Sequence, residues 1–383
     1  ETAEQDATYG WDPQRQPVPF SWERAFPGRP LESIGVREME SGIRAALDRI
    51  DPDAVAITSY SHPDARAALV WCRRRRRVAI LMSDSKADDA PRVRWREWTK
   101  RQLVAQYDAA LVAGTAHAAY VEHLGVPRSL IFRPVDVVDN GRYAEGADAA
   151  RMDPTRAADS IGLPVRGPYF IAVGRMITRK NLDTLLVAYG TYRQRTLRNG
   201  VPPWPLVLVG DGPEADRLRG IAAREADGGV VFAGFRQIDE LVTFLGLAGC
   251  LVHPARMDQW GLVVNEAMAA GLPVLVSRRA GCARDLVADG VNGHIFEPGD
   301  VDAIADLLMT IGEMSASERR RMGAEGARRI AAYRPTDFAA GLLQAFEAGR
   351  RRAHRGLSIT AWLVTTALRL ASRNARAFHA IPD

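Results

Sequence analysis

From Pro168 onward the chain alternates short apolar runs with helix-length amphipathic stretches, and this rhythm restricts its fold more than any other feature. "PYFIAVG" precedes "NLDTLLVAYGTYRQR". "PLVLVG" leads through the turn "DGPE" into "ADRLRGIAAREA". "VVFAG" is followed by a helical stretch from Asp239, "CLVHP" by "RMDQWGLVVNEAMAAG", "PVLVS" by a short helix near Asp285, and "GHIFEP" ends the series. Runs this short and this apolar read as strands covered on both faces. The helices between them return the chain to the same edge, so the strands are parallel. Three amphipathic helices follow Asp300. Upstream, "AVAITSY", "RVAILMS", "DAALVAG" and "SLIFRPV" repeat the pattern less regularly, with a helix from Val36 to Ile50 and another in "RWREWTKRQLVAQY". The Ala/Asp/Pro-rich stretch "EGADAARMDPTRAADSIGLPVRGP" reads as a linker, which puts a boundary near Val165. The expected fold is α/β, with two Rossmann-like doubly wound domains facing a cleft. They span residues 1–165 and 166–350, with a helical tail at 351–383. Sheets of this kind bind ligands beyond the carboxyl ends of their strands, so the chemistry should follow strands.

A chain of 383 residues is long enough for two domains, and 47% hydrophobic with 25% charged residues is the balance of a globular protein. Three scattered cysteines without a CxxC argue against a secreted disulfide scaffold and for a reducing compartment. No HExxH and no Cys/His cluster is present, so no metal and no bound cofactor are expected. No apolar run is long enough to span a bilayer and no signal peptide is evident. Between Arg73 and Arg101 eleven Lys/Arg face only four acids, Asp84, Asp88, Asp89 and Glu97. Such an excess suits phosphates, anionic lipid or an acidic partner, or is simply a solvated face. No nucleic-acid motif accompanies it, so nucleic acid is not an expected partner. Trp95 and Trp98, interleaved in the basic helix, read either as a membrane-facing wedge or as buried packing. The tail "LSITAWLVTTALRLASR" reads as a helix packed on another domain or lying in a membrane interface.

The candidate chemistry does follow strands. Gly174, Arg175 and Lys180 lie in "VGRMITRKN" after the first strand of the second half. A guanidinium and an ammonium there suit a diphosphate, although two surface cations capping neighbouring elements would look the same. After "CLVHP", Asp258 sits in a loop and Gly261 opens a helix containing Glu266. The free amides of Gly261, Leu262 and Val263 make an anion site, helped by the helix dipole. Glu266 follows about 7 Å along the axis. A nucleotide sugar matches this layout, with its sugar near Asp258, its diphosphate over the helix start and its ribose at Glu266. Gly210, Asp211 and Gly212 read as a strand-to-helix turn. Phe235 either lines a base pocket or belongs to the core, and His62, after a strand, is a candidate for the acceptor side.

"VGRMITRKN", "LVLVGDGPE", "VVFAGF" and "DQWGLVVNE" followed by "AMAAGLPVLVS" resemble the retaining GT-B glycosyltransferases of family 4, closely from Tyr169 to Asp300 and more loosely upstream. The resemblance implies that Arg175 and Lys180 bind the donor diphosphate, Glu266 the ribose and Asp258 the donor sugar. The chain departs from the family pattern in three ways. Asp258 stands where the family usually has Glu. Asp84, rather than a histidine, follows the first-domain strand "RVAILMS", which puts it with His62 on the acceptor side and among the catalytic candidates. The glycine-rich first turn is missing, from which at least one further βα unit, roughly 30 to 50 residues, is expected upstream of Glu1. The implied activity is metal-independent transfer from a nucleotide-diphosphate sugar to a saccharide, lipid-linked or small-molecule hydroxyl. The phosphate leaves on the face that the acceptor attacks. The expected location is cytoplasmic, with peripheral contact at the inner face of a membrane. Two alternatives remain: a nucleotide-sugar-binding protein without turnover, and a glycoside hydrolase using Asp258 and Glu266.

Overall fold

The computed structural model describes residues 3–5, 20–353 and 356–371. They belong to two compact units, one of Glu1–Val135 with Phe338–Pro382 and the other of Asp136–Asp337. In the first unit β1 (Ala3–Gln5) pairs in parallel with β2 (Phe26–Pro30). Then follow α1 (Val36–Ile50), β3 (Ala54–Thr58), α2 (Pro63–Arg75), β4 (Val78–Ser83), α3 (Arg94–Val104), β5 (Ala109–Val112), α4 (Thr115–His123) and β6 (Ile131–Phe132). Strands β3, β4, β5 and β6 form a parallel sheet in simple chain order among the described residues. The inner strand β5 is buried at every position, as an apolar run between two helical layers must be.

The basic run of this unit is not the patch its local count suggests. Arg73 is buried and forms an ion pair with Asp108, its Nη1 donating to Oδ1 at 2.9 Å. Arg75 pairs with Asp48, and Arg77 with Asp51 and Asp53. Lys86 is buried between Asp88 at 3.0 Å and Asp89 at 2.8 Å, while Arg92 and Lys100 share Glu97. Asp48, Asp51, Asp53 and Asp108 lie outside the counted window, and the fold carries them to the arginines. Trp95 and Trp98 are exposed, so the buried-packing reading of these two does not hold.

The second unit begins with α5 (Asn140–Met152) and α6 (Pro154–Ser160), in the stretch that reads as a linker. Asp139 and Asp153 cap them by accepting from the amides of Arg142 at 3.2 Å and Arg156 at 3.1 Å. Next come β7 (Phe170–Val173), α7 (Leu182–Arg198), β8 (Leu206–Val209), α8 (Ala215–Glu225), β9 (Val230–Gly234), α9 (Ile238–Leu247), β10 (Cys250–His253), α10 (Leu262–Ala269), β11 (Val274–Ser277), α11 (Ala283–Leu286), β12 (Gly293–Phe296), α12 (Val301–Glu313) and α13 (Ala316–Ile330). The unit divides from the first near Val135 rather than Val165 because α5 packs against α9. Small residues permit that approach: a Cβ on Gly246 would lie 2.7 Å from Ala147 Cα. The alanines that look like linker composition are therefore a close-packing face.

The six parallel strands of this unit run in the order β12-β11-β10-β7-β8-β9. The chain builds outward from β7 through β8 and β9, then returns to place β10 on β7's other side. Strand order thus reverses between β7 and β10, which opens a crevice at their carboxyl ends. The apolar core beneath includes Phe170, Leu186, Tyr189, Leu208 and Val252.

The chain then rejoins the first unit through α14 (Pro335–Arg350) and α15 (Ile359–Ala371). Gly341 of α14 lies over β5, where a Cβ would come within 2.9 Å of Leu111. The expected second domain therefore ends earlier than residue 350, and the expected tail helix packs on α3. Its residues beyond 371 lie outside the described part. Among the described residues no helix is long and apolar enough to cross a membrane. Cys72, Cys250 and Cys282 are free and buried.

Candidate functional site

The site grows from the loops at the reversal of strand order. After β7, Gly174 (φ +149°) leads to Arg175, and a 3-10 turn at Thr178–Lys180 ends on Asn181 in the left-handed region. Asn181 is fully buried and fastens three loops. Its Nδ2 donates to Pro254 O at 2.9 Å and Pro298 O at 2.6 Å, and its Oδ1 accepts from Arg256 Nε at 2.6 Å. Arg256 also donates its amide to Arg179 O at 2.9 Å. The turn after β8 closes in from the other side. A Cβ on Gly210 would meet Gly174 O at 2.0 Å, and Met176 donates its amide to Asp211 O at 2.8 Å. Gly210, Asp211 and Gly212 thus support the Arg175–Lys180 loop from behind, the structural role their sequence suggests.

Lys180 and Asp258, one from each side of the reversal, meet here. Lys180 Nζ donates to Asp258 Oδ2 at 2.5 Å, and His253 Nε2, at the end of β10, lies 2.9 Å from the same oxygen. Burial alone would push the Asp258 carboxyl up, but His253 and Lys180 outweigh it and hold the group well below the usual carboxylate range. The Asp258 loop is laced to the one after β11: Gly281 donates to Asp258 O at 3.1 Å and Cys282 to Trp260 O at 3.0 Å. Gly261 (φ +102°) then caps α10. A side chain there would be strained by the backbone and would stand 3.1 Å from His253 Nε2. Val264 bonds Gly261 O at 2.9 Å, so the amides of Gly261, Leu262 and Val263 lie at the helix's open end, where Leu262 is exposed. One turn on, Glu266 is hydrogen-bonded to buried Tyr143 of α5. Burial raises the Glu266 carboxyl to about 7, with Tyr143 pulling the other way.

This shift predicts a pH signature. A carboxyl whose folded pKa is raised binds its proton more tightly when folded. Its stabilising effect is complete below the unfolded value of 4.5 and is lost as pH rises through about 7. Relative to Glu266→Gln, the wild-type melting temperature should therefore fall across that interval. A difference that stays constant with pH would contradict the assignment.

Residues 155–329 match the family of glycosyl transferases group 1, a stretch that contains Arg175, Lys180, Asp258 and Glu266. That segment is similar to the group 1 glycosyltransferases, over less than half of the chain. The chain is 33% identical over 202 residues to the GDP-mannose-dependent alpha-(1-6)-phosphatidylinositol monomannoside mannosyltransferase of Mycolicibacterium smegmatis, covering 49% of this chain and 48% of that protein. It is 31% identical over 264 residues to the D-inositol 3-phosphate glycosyltransferase of Geodermatophilus obscurus, covering 62% and 53%. The chain spans about half the length of these relatives. Its fold is similar to that of the sucrose-phosphate synthase of Thermosynechococcus elongatus, with TM-score 0.66 and 20% identity over 82% of this chain and 77% of the other. That likeness supports the α/β, GT-B fold expected from the alternation of strands and helices.

Within the matched segment the structure joins Lys180 to Asp258 and sets Gly261 against their partner His253. Arg175 is half-buried on the same loop as Lys180, and among the described residues its guanidinium makes no hydrogen bond or ion pair. Phe235, just past β9, is 41% exposed and so does not belong to the core. His62 and Asp84 lie in the other unit, His62 as the residue before α2 and Asp84 just after β4. Three contributors escape a reading of the sequence. His253 ends an apolar strand, Asn181 looks like an ordinary loop residue, and Tyr143 stands just before the supposed linker. A cavity of about 640 Å³ opens near Pro168, Gly249 and Pro273, at the amino ends of β7, β10 and β11, and is lined by none of the candidate residues.

Proposed function

We propose that the chain transfers a sugar from a nucleoside-diphosphate donor to a hydroxyl acceptor with retention of configuration and without a metal. The observation that carries this reading is the Lys180–Asp258 pair across the reversal of strand order, beside the open amide end of α10. An ammonium, a guanidinium and free amides together can neutralise the charge that develops on a departing diphosphate. Asp258, fixed as a carboxylate, accepts hydroxyls of the donor sugar, and Glu266 takes the ribose. Glu266 is turned to Tyr143 rather than set beside Asp258 as a nucleophile would be. This favours attack on the face that the diphosphate leaves, with the diphosphate accepting the acceptor's proton. A relative named for a phosphatidylinositol monomannoside supports a lipid-linked acceptor.

The test is a panel of GDP- and UDP-sugars, read first by thermal shift and then by donor consumption with glycolipid acceptors in EDTA. One nucleotide class should stabilise the protein, and turnover should persist in the chelator. Loss of turnover that Mg²⁺ or Mn²⁺ restores would refute metal independence. Stabilisation without consumption of donor, whatever the acceptor, would favour a binding protein without turnover.

A further inference from the structure

Helix α15 carries an apolar face outward. Ala361 and Val364 are buried, while Ile359, Trp362, Leu363 and Leu370 are exposed, at a spacing of three, four and seven residues that puts them on one side of the helix. Four large apolar side chains in a single stripe are more than the scattered exposure of an ordinary surface. The helix packs against α3, which exposes Trp95 and Trp98 one turn apart. A hydrogen-bonded pair, Gln106 with Ser358, ties the segments that join these helices at 3.2 Å. The remaining charge on α3 is positive. Lys100 is neutralised by Glu97, but Arg94, Arg96 and Arg101 have no carboxylate partner among the described residues. Arg96 instead stacks over Trp95 at 5.4 Å. Beyond α15 the sequence adds Arg373 and Arg376 without an acid before Asp383.

We propose that α3 and α15 form a docking surface for an anionic lipid bilayer. Tryptophan suits the boundary between headgroups and acyl chains because it has an apolar ring and a polar N–H. Unpaired arginines on α3 supply attraction to anionic headgroups, and a stripe such as that of α15 embeds in the interface plane rather than spanning the membrane. A second protein copy would also cover apolar surface. However, it would set Arg94, Arg96 and Arg101 against their own counterparts in a symmetric contact, and this charge distribution favours the lipid. The proposal does not depend on the reading of the donor site, because none of these residues belongs to it.

Sedimentation of the full chain with phosphatidylcholine vesicles, with and without phosphatidylglycerol, tests it. Three variants accompany the wild type: Trp362→Glu with Leu363→Glu, Trp95→Ala with Trp98→Ala, and Arg94→Glu with Arg96→Glu. All six positions are exposed, so circular dichroism and nucleotide binding should stay unchanged. The wild type should bind the anionic vesicles and not the neutral ones. Each pair of substitutions should lower that binding on the order of tenfold, the charge reversal most at low salt. The proposal is overturned if the wild type does not bind anionic vesicles, if it binds both vesicle types equally, or if all three variants bind as well as the wild type. Dimerisation abolished by the same substitutions, without vesicle binding, would assign the surface to a second copy instead.

Discussion

Lys180→Ala is expected to reduce sugar transfer by about 10²–10³-fold, the usual effect of removing one preorganised donor at a site of developing charge. Nucleoside diphosphate affinity should fall with it, by about 1.5–3 kcal/mol for a lost charged hydrogen bond. The geometry gives a reason to expect the upper end. Lys180 holds Asp258 at 2.5 Å, so its removal also leaves the carboxylate leaning on His253 alone. Arg175→Ala should weaken nucleotide binding too, but without disturbing Asp258, since its guanidinium has no partner to release. Titration with nucleoside diphosphate and initial rates with saturating donor separate the two effects. Unchanged binding in both variants would remove these cations from the diphosphate site.

The second large effect is on stability and lies in the other unit. Arg73 and Asp108 are 1% and 2% exposed at their side chains. Asp108 also accepts from the amide of Ala79 at 2.9 Å, and Arg73 donates to Arg77 O at 3.1 Å. The pair therefore joins the end of α2 to the starts of β4 and β5. Removing one partner strands a charge that has no access to water. Asp108→Ala should accordingly cost about 3–5 kcal/mol of unfolding free energy. Replacing both residues by apolar ones should cost less, because it leaves no stranded charge and orphans only neutral backbone groups, the Ala79 amide and the Arg77 carbonyl. Urea unfolding of the two variants decides it, and a loss below about 1 kcal/mol for Asp108→Ala would mean that water reaches the pair.

What could be read from the chain alone depended on how local the determining physics was. The strands of the second unit were visible because four consecutive apolar residues, as in "FIAV" and "LVLV", have few fates other than a strand covered on both faces. Lys180, Asp258 and Gly261 could be picked out because their types follow strands at the right places. Their pairing could not, since it joins residues 78 positions apart. His253 was hidden by its strand, where a lone histidine among apolar neighbours reads as core. Tyr143 was missed because nothing in the sequence joins it to Glu266, 123 positions on, and the basic run misled because its counter-charges lie outside the counted window.

The contact between Lys180 and Asp258 also limits how this site can be redesigned. At 2.5 Å there is no slack, and His253 closes the far side of the same oxygen. A glutamate in place of Asp258 would carry its carboxylate one methylene further, into either the lysine or the imidazole. With Asp258 receiving the donor sugar as proposed, a change of sugar preference at this position is therefore not a single step. On the proposed reading, the acid and at least one of its two basic neighbours would change together, so new donors would come by coupled exchanges rather than one residue at a time.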